Sequence, residues 1–128
     1  MDKTRLGKAG EDFACERLIE KGYTVIEKNY HSRYGEIDII VENENTIAFV
    51  EVKARSTTSK SMPRDAVDKR KQRKIILSAV MYLQTHPLQK SPRFDVFEVW
   101  HNEKGIFKFS HIKNAFDISD LGGAYEIF

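Results

Sequence analysis

Apolar residues recur along the chain at two spacings, and the switches between them divide it into seven elements. Over residues 4–21 the period is helical: Ala14, Cys15, Leu18 and Ile19 follow Glu11 at the three- and four-residue steps of one helix face, and Gly22 ends the run. The period then falls to two. "YTVIEKNY" (23–30) sets Tyr23, Val25 and Glu27 against Thr24 and Ile26, and "GEIDIIV" (35–41) and "IAFVEVKAR" (47–55) follow as two more strands. The polar stretch "RSTTSKSMPR" (55–64) reads as a mobile loop. Asp65 then stands where it can cap a second helix reaching about Gln84, with Ile76, Ala79, Val80 and Leu83 as its stripe and His86-Pro87 as its stop. "RFDVFEVWH" (93–101) and "GIFKFSHI" (105–112) complete the pattern as strands. The order helix, three strands, helix, two strands predicts an α/β or α+β fold, a mixed central sheet flanked by helices. With 128 residues the chain is long enough for one core and short for two, so residues 1–128 are expected to form a single domain.

The second and third strands place charge where a plain hairpin has no use for it. With a two-residue turn at Glu44-Asn45, Ile37 falls opposite Val52, Ile39 opposite Val50 and Val41 opposite Ala48, on one apolar face. The same register puts Asp38 opposite Glu51 and Glu36 opposite Lys53. Cβ atoms of directly opposed residues are about 5 Å apart, and like charges there repel. Two carboxylates at that separation form a hard oxygen site suited to Mg2+ or Mn2+, and Lys53, on the Glu51 face, can serve an attacking water or a phosphorane-like charge. A salt-bridged surface hairpin is the competing reading. Both helices favour the site: Glu11 prolongs the inward stripe of the first, and Gln72 and Lys71 prolong that of the second. A carboxylate that points inward requires a partner.

The net charge of +2 conceals an uneven distribution. Nine basic residues stand against two acidic ones between 53 and 74, a local +7, while the remaining 12 basic and 17 acidic residues leave −5. Such asymmetry is expected of an edge that faces nucleic acid, although a solvated helix face also produces it. The residues expected to meet phosphate are Arg33, Arg55, Lys60, Arg64, Lys71 and Lys74. Other chemistries fit poorly. Cys15 is the only cysteine and reads as a small buried apolar residue; His31, His86, His101 and His111 lack the spacing of a zinc pair; no Walker-type phosphate loop is present. Trp100 and the phenylalanines of the last two strands read as core. No apolar run is long enough for a membrane span, and the N-terminus lacks a signal-peptide core, so a cytoplasmic protein is expected.

Asp38 followed by Glu51-Val52-Lys53 across a hairpin, behind a helix that carries Glu11, resembles the PD-(D/E)XK signature of restriction-endonuclease-like nucleases. With "GKAGEDFACERLIEKGY" in front and "DKRKQRKIILSAVMYL" behind, the chain closely resembles the YraN-like family of small uncharacterised bacterial proteins, similar in layout to archaeal Holliday-junction resolvases. The resemblance covers most of residues 5–85, and Gly35-Glu36-Ile37-Asp38 stands where the literal signature has Pro-Asp. It implies a restriction-endonuclease-like fold in which Asp38 and Glu51 are metal ligands, Lys53 is the catalytic lysine, Glu11 an auxiliary acid and Gln72 a supporting polar residue. The expected activity is hydrolysis of DNA phosphodiesters by a Mg2+- or Mn2+-dependent endonuclease, with branched or otherwise structured DNA as one substrate class. A binding module of the same fold without turnover and an RNA-directed nuclease are the alternatives, and a homodimer remains open.

Overall fold

The computed structural model describes residues 3–56, 67–87 and 90–121. Helix α1 (Lys3–Glu20) is followed by β1 (Thr24–Ser32), β2 (Gly35–Glu42), β3 (Thr46–Ser56), α2 (Lys69–Thr85), β4 (Ser91–Asn102) and β5 (Gly105–Phe116), with a 3-10 turn at Ile118–Leu121. This is the order that the periodicity predicts. The five strands form one sheet in the order β1-β2-β3-β4-β5. All neighbours are antiparallel except β3 and β4, which lie parallel because the chain crosses back through α2.

Each helix buries one face of the sheet. On one side Ala14 and Leu18 of α1 pack with Ile39, Val41, Ala48, Val50, Phe97 and Val99; on the other, Ile75, Ile76, Ala79 and Tyr82 of α2 pack with Ile40, Ile47, Phe49, Phe94 and Val96. Period-two alternation sends Ala48 and Val50 to α1 and Ile47 and Phe49 to α2. Both faces of the central strands are therefore apolar, and a charged residue among them is conspicuous.

Helix α1 ends as its sequence directs. Gly22 adopts φ 96°, its N–H donates to the Ile19 carbonyl at 3.0 Å, and the Tyr23 N–H returns to the Leu18 carbonyl at 3.1 Å. Ile19 itself is 56% exposed, against expectation. It lies about 100° round the helix from Leu18, beyond the stripe that reaches the sheet. Helix α2 is capped by Asp68, whose Oδ1 accepts the Lys71 N–H at 2.8 Å. Asp65, the expected cap, lies outside the described residues, as does the expected mobile loop beyond Ser56. The α2 stripe is also rotated from the expected one: Ile75 and Tyr82 are fully buried, while Val80 and Leu83 are half-buried. The last two strands are longer than the alternation alone suggests, and the terminal 3-10 turn was not anticipated.

Close packing of α1 depends on a residue that carries no side chain. A Cβ on Gly10 would meet Val99 Cγ2 at 3.1 Å and Val52 Cγ1 at 3.5 Å, whereas one on Gly7 would meet nothing within 4 Å. Alanine gains roughly 0.5–1 kcal/mol of helix propensity at either position, but overpacking at a core contact costs about 1–3 kcal/mol. Gly7→Ala is therefore expected to raise the urea midpoint and Gly10→Ala to lower it. Equal gains in the two variants would show that α1 does not press on the sheet at Gly10.

Candidate functional site

The hairpin of β2 and β3 has the expected register over part of its length. Ile39 pairs with Val50, Ile40 with Phe49, Val41 with Ala48 and Glu42 with Ile47, across the turn at Glu44-Asn45. The turn forms because Asn43 Oδ1 accepts the N–H groups of Asn45 and Thr46 at 3.1 and 2.9 Å. Beyond Ile39 the ladder stops. Asp38 Oδ2 takes the Val52 N–H at 2.8 Å, so a carboxylate occupies the place of a main-chain acceptor. Two expected pairings fail as a result. Ile37 packs with Ile40 beneath α2 rather than with Ile39 on the α1 side. Glu36 pairs with His31 of β1, at 3.4 Å, rather than with Lys53.

The break leaves Asp38 and Glu51 together, 9% and 6% exposed, each close enough to shift the titration of the other. Burial, and then the charge of Asp38, push Glu51 up to about 7, against the opposing pull of Lys71. Burial also raises Asp38, while the Val52 N–H holds it down. Lys71 Nζ reaches across from the first turn of α2 to Glu51 Oε1 at 2.7 Å. Burial would lower this ammonium, but its bond to Glu51 and the charges of Glu51 and Asp38 raise it on balance.

Glu11 approaches the pair from α1. Its carboxyl is raised by burial and by the charge of Asp38, and a hydrogen bond from the Asn29 side chain opposes the shift. Asn29 was not foreseen. With Lys28 opposite Ile39 and Tyr30 opposite Ile37, it falls opposite Asp38, at an irregular point of β1 where its φ is 53°. Asparagine tolerates that left-handed conformation better than most residues, which is a faint sequence signal. Gly35 adopts φ 146°, which favours glycine, and the stem of Lys74 lies 3.7 Å from where its Cβ would stand. Gly35, Glu36, Asp68, Arg70, Lys71, Lys74 and Ile75 line an open depression of about 530 Å3 beside the pair.

The other expected site residues divide into three groups. Lys53 shares the Glu51 face of β3 and is exposed; Arg33 is exposed on the β1–β2 turn, its guanidinium bonded to Tyr34 Oη at 2.8 Å. Gln72 is half-buried: its Nε2 donates to the Val67 carbonyl at 3.0 Å, and its Oε1 is buried without a partner. Arg55 is 5% exposed and ion-paired to the fully buried Glu98 of β4, so its guanidinium is committed to the interior rather than offered to phosphate. Alternation correctly put Arg55 on the face of Glu51 but could not reveal that β4 supplies a carboxylate there. Lys60 and Arg64 lie outside the described residues.

Among the described residues no three His, Cys, Asp or Glu side chains converge in a manner that could hold a metal, and no helix is long and apolar enough to cross a membrane. The site is thus a carboxylate pair with one lysine bound to it, another on its strand, and a basic rim.

Residues 10–99 match the uncharacterised protein family UPF0102. The chain belongs to that family. It is 45% identical over 113 residues to a UPF0102 protein of Persephonella marina, covering 88% of this chain and 93% of that one. A UPF0102 protein of Caldanaerobacter subterraneus is 41% identical over 119 residues, covering 91% and 98%, and one of Clostridioides difficile is 44% identical over 117 residues, covering 91% and 100%. The matched stretch contains the carboxylate pair, Glu11, Lys53 and the whole of α2, and membership of UPF0102 agrees with the YraN-like resemblance read from the sequence.

The raised Glu51 has a consequence for stability. A carboxyl whose folded pKa lies above its unfolded value favours folding only while protonated. Its contribution is intact below about pH 4.5, declines as pH rises, and is lost above pH 7. Without metal, Glu51→Gln is expected to be about 2 kcal/mol more stable than the parent at pH 8 and about equal at pH 5. Thermal unfolding at the two pH values checks this. A lower melting temperature for the variant at pH 8 would make Glu51 a structural partner of Lys71.

Proposed function

We propose that this UPF0102 protein is a divalent-metal-dependent endonuclease that hydrolyses phosphodiester bonds of DNA. The observation that carries the reading is the buried pair of Asp38 and Glu51, brought together where the β2–β3 ladder breaks and set against a basic rim. The hairpin uses one of the two carboxylates, Asp38, as an acceptor for the Val52 N–H, and each is shifted toward its neutral form by burial without a compensating cation of sufficient charge. The pair fits Mg2+ or Mn2+ on donor chemistry. Both ions accept one or two carboxylates and complete their shells with water and substrate phosphate, so no third protein ligand is required.

In this reading Asp38 and Glu51 hold the ion, and deprotonation of Glu51 accompanies its binding. When bound, the ion supplies Lewis-acid polarisation of a phosphoryl oxygen and a more acidic water. Lys53, on the Glu51 face and open to solvent, orients or deprotonates the attacking water or meets charge developing on phosphorus. Glu11, near Asp38 on α1, adds negative charge that draws a cation in. Arg70, Lys71 and Lys74 along the depression place a phosphate backbone against the pair.

The test is incubation of the purified protein with duplex, flap and four-way DNA, and with RNA of the same sequences, in Mg2+ or Mn2+. Cleavage that requires metal and is lost in Asp38→Ala supports the reading. Binding of these substrates without cleavage under any of these conditions would replace it with a module that binds nucleic acid and does not turn over. Cleavage confined to RNA would move the activity to that substrate.

A further inference from the structure

Among the described residues Lys71 is the cation paired to the carboxylate pair, and its placement is unlike that of a structural ion-pair partner. Glu51 is buried, with its side chain 7% exposed, but the Lys71 side chain is 55% exposed along its length and lines the open depression together with Arg70 and Lys74. Its backbone is fixed, since its N–H is bonded to the capping Asp68, while its ammonium is on a flexible stem that can turn from the pair to the depression without moving the helix. The first turn of α2 contains no acidic residue, and Lys69, Arg70 and Lys71 stand there although the positive end of a helix disfavours cations. With the lysine half of the pair open to solvent, the ammonium can leave Glu51 without disturbing the packing of α2. The site itself has less positive charge than two carboxylates require, so a divalent ion and the Lys71 ammonium compete for the same Glu51 oxygen.

We infer that Lys71 is a shared cation that neutralises Glu51 while the site lacks metal and is transferred to a nucleic-acid phosphate when a divalent ion takes Glu51. This inference rests on the metal-site reading above and adds a coupling to it. Metal binding at Asp38 and Glu51 frees the lysine for phosphate; phosphate in the depression draws the lysine off Glu51 and opens the site to metal. By linkage each ligand strengthens the other. The arrangement limits metal loading of the empty protein and favours assembly of the site on bound nucleic acid. Lys74 lines the same depression while Lys71 is the lysine paired to Glu51, so Lys74 provides the control for a contact with phosphate alone.

The coupling can be measured without turnover. Mn2+ is titrated calorimetrically into the full chain, its Lys71→Met, Lys71→Gln, Lys74→Met and Glu51→Gln variants, each alone and each with a cleavage-resistant phosphorothioate duplex. Lys71→Met and Lys71→Gln are expected to bind Mn2+ about tenfold more tightly than the parent in the absence of DNA, because the ion no longer displaces an ammonium from Glu51. Addition of duplex should tighten Mn2+ binding by the parent and by Lys74→Met about tenfold more than by the Lys71 variants. The salt dependence of duplex binding with Mn2+ present should fall by about one phosphate contact in the Lys71 variants. Equal Mn2+ affinities of parent and Lys71 variants, with none in Glu51→Gln, would overturn the inference and leave the metal site standing. Weaker Mn2+ binding in the Lys71 variants would also overturn it, making Lys71 a group that positions Glu51. No Mn2+ binding by the parent or the Lys71 variants would remove the metal-site reading and the coupling with it.

Discussion

Asp38→Ala is expected to lower metal-dependent cleavage by roughly a thousandfold or more, while folding is retained. Loss of the ion's polarisation of phosphate and water removes several kcal/mol of transition-state stabilisation, and about 4 kcal/mol is a thousandfold in rate. The structural cost is smaller, because the variant loses one acceptor for the Val52 N–H but also relieves Glu51 of a neighbouring carboxylate. Alanine leaves the Val52 N–H at a partly buried point, so a loss of about 1 kcal/mol is expected from that donor, offset by easier ionisation of Glu51. Single-turnover cleavage rates and a thermal melt of the same preparation separate the two effects. A variant that cleaves within tenfold of the parent would show that Asp38 holds no essential ion.

The largest effect on stability is expected from the far end of the sheet. Asp95 of β4 is fully buried on the α1 side, where its carboxylate receives both a guanidinium Nε–H and an Nη2–H from Arg93 at 2.8 Å, His111 Nε2 at 2.8 Å and the Asn114 N–H at 3.0 Å. Arg93 continues to the Tyr23 hydroxyl at 2.7 Å, and Lys21 reaches His111 Nδ1 at 2.8 Å, so the turn after α1 is tied to β4 and β5 through one carboxylate. Burial would raise the Asp95 pKa, but the hydrogen bonds from His111 and Arg93 lower it on balance. Asp95→Ala leaves a guanidinium, an imidazole N–H and a backbone N–H without their partner. The expected cost is about 3–5 kcal/mol, a fall in melting temperature of roughly 10–20 °C. The dependence on pH has the opposite sign to that of Glu51. With a lowered folded pKa, Asp95 contributes fully above its unfolded pKa of about 3.9, and the contribution is lost as pH falls through the lower folded value. A melt of Asp95→Ala within about 1 kcal/mol of the parent would show that the network is rearranged without cost.

The readable parts of this structure follow from local rules. Period-two alternation and a two-residue turn fix the register of four β2–β3 pairs, and that register delivers Asp38 and Glu51 to one place. Helical spacing similarly brings Glu11 and Lys71 to the same end of the sheet from its two sides. The failures have a common cause, since alternation names the face of a residue but not what covers it. Arg55 was read as a phosphate ligand because Glu98 is 43 residues away in sequence and meets it only through the parallel pairing of β3 with β4. Ile37 was assigned to the wrong side because a carboxylate, not the main chain, receives the Val52 N–H. Asn29 matters through a left-handed backbone that no periodicity reports. One signal was available and unused. Asp95 and Glu98 stand inside the apolar run "RFDVFEVW", where a buried acid requires a cation, and the Arg93 two residues before Asp95 shares its face.

The most direct measurement of the central claim is the position of a metal ion. Crystals of the protein soaked in Mn2+, with diffraction recorded at the manganese absorption edge, are expected to show an anomalous peak bridging the carboxylates of Asp38 and Glu51, with Lys71 turned away from Glu51. The same soak of Glu51→Gln should show none. Crystals of the parent with no anomalous peak at the pair, and with the Lys71 ammonium still on Glu51 at high Mn2+ concentration, would contradict the account.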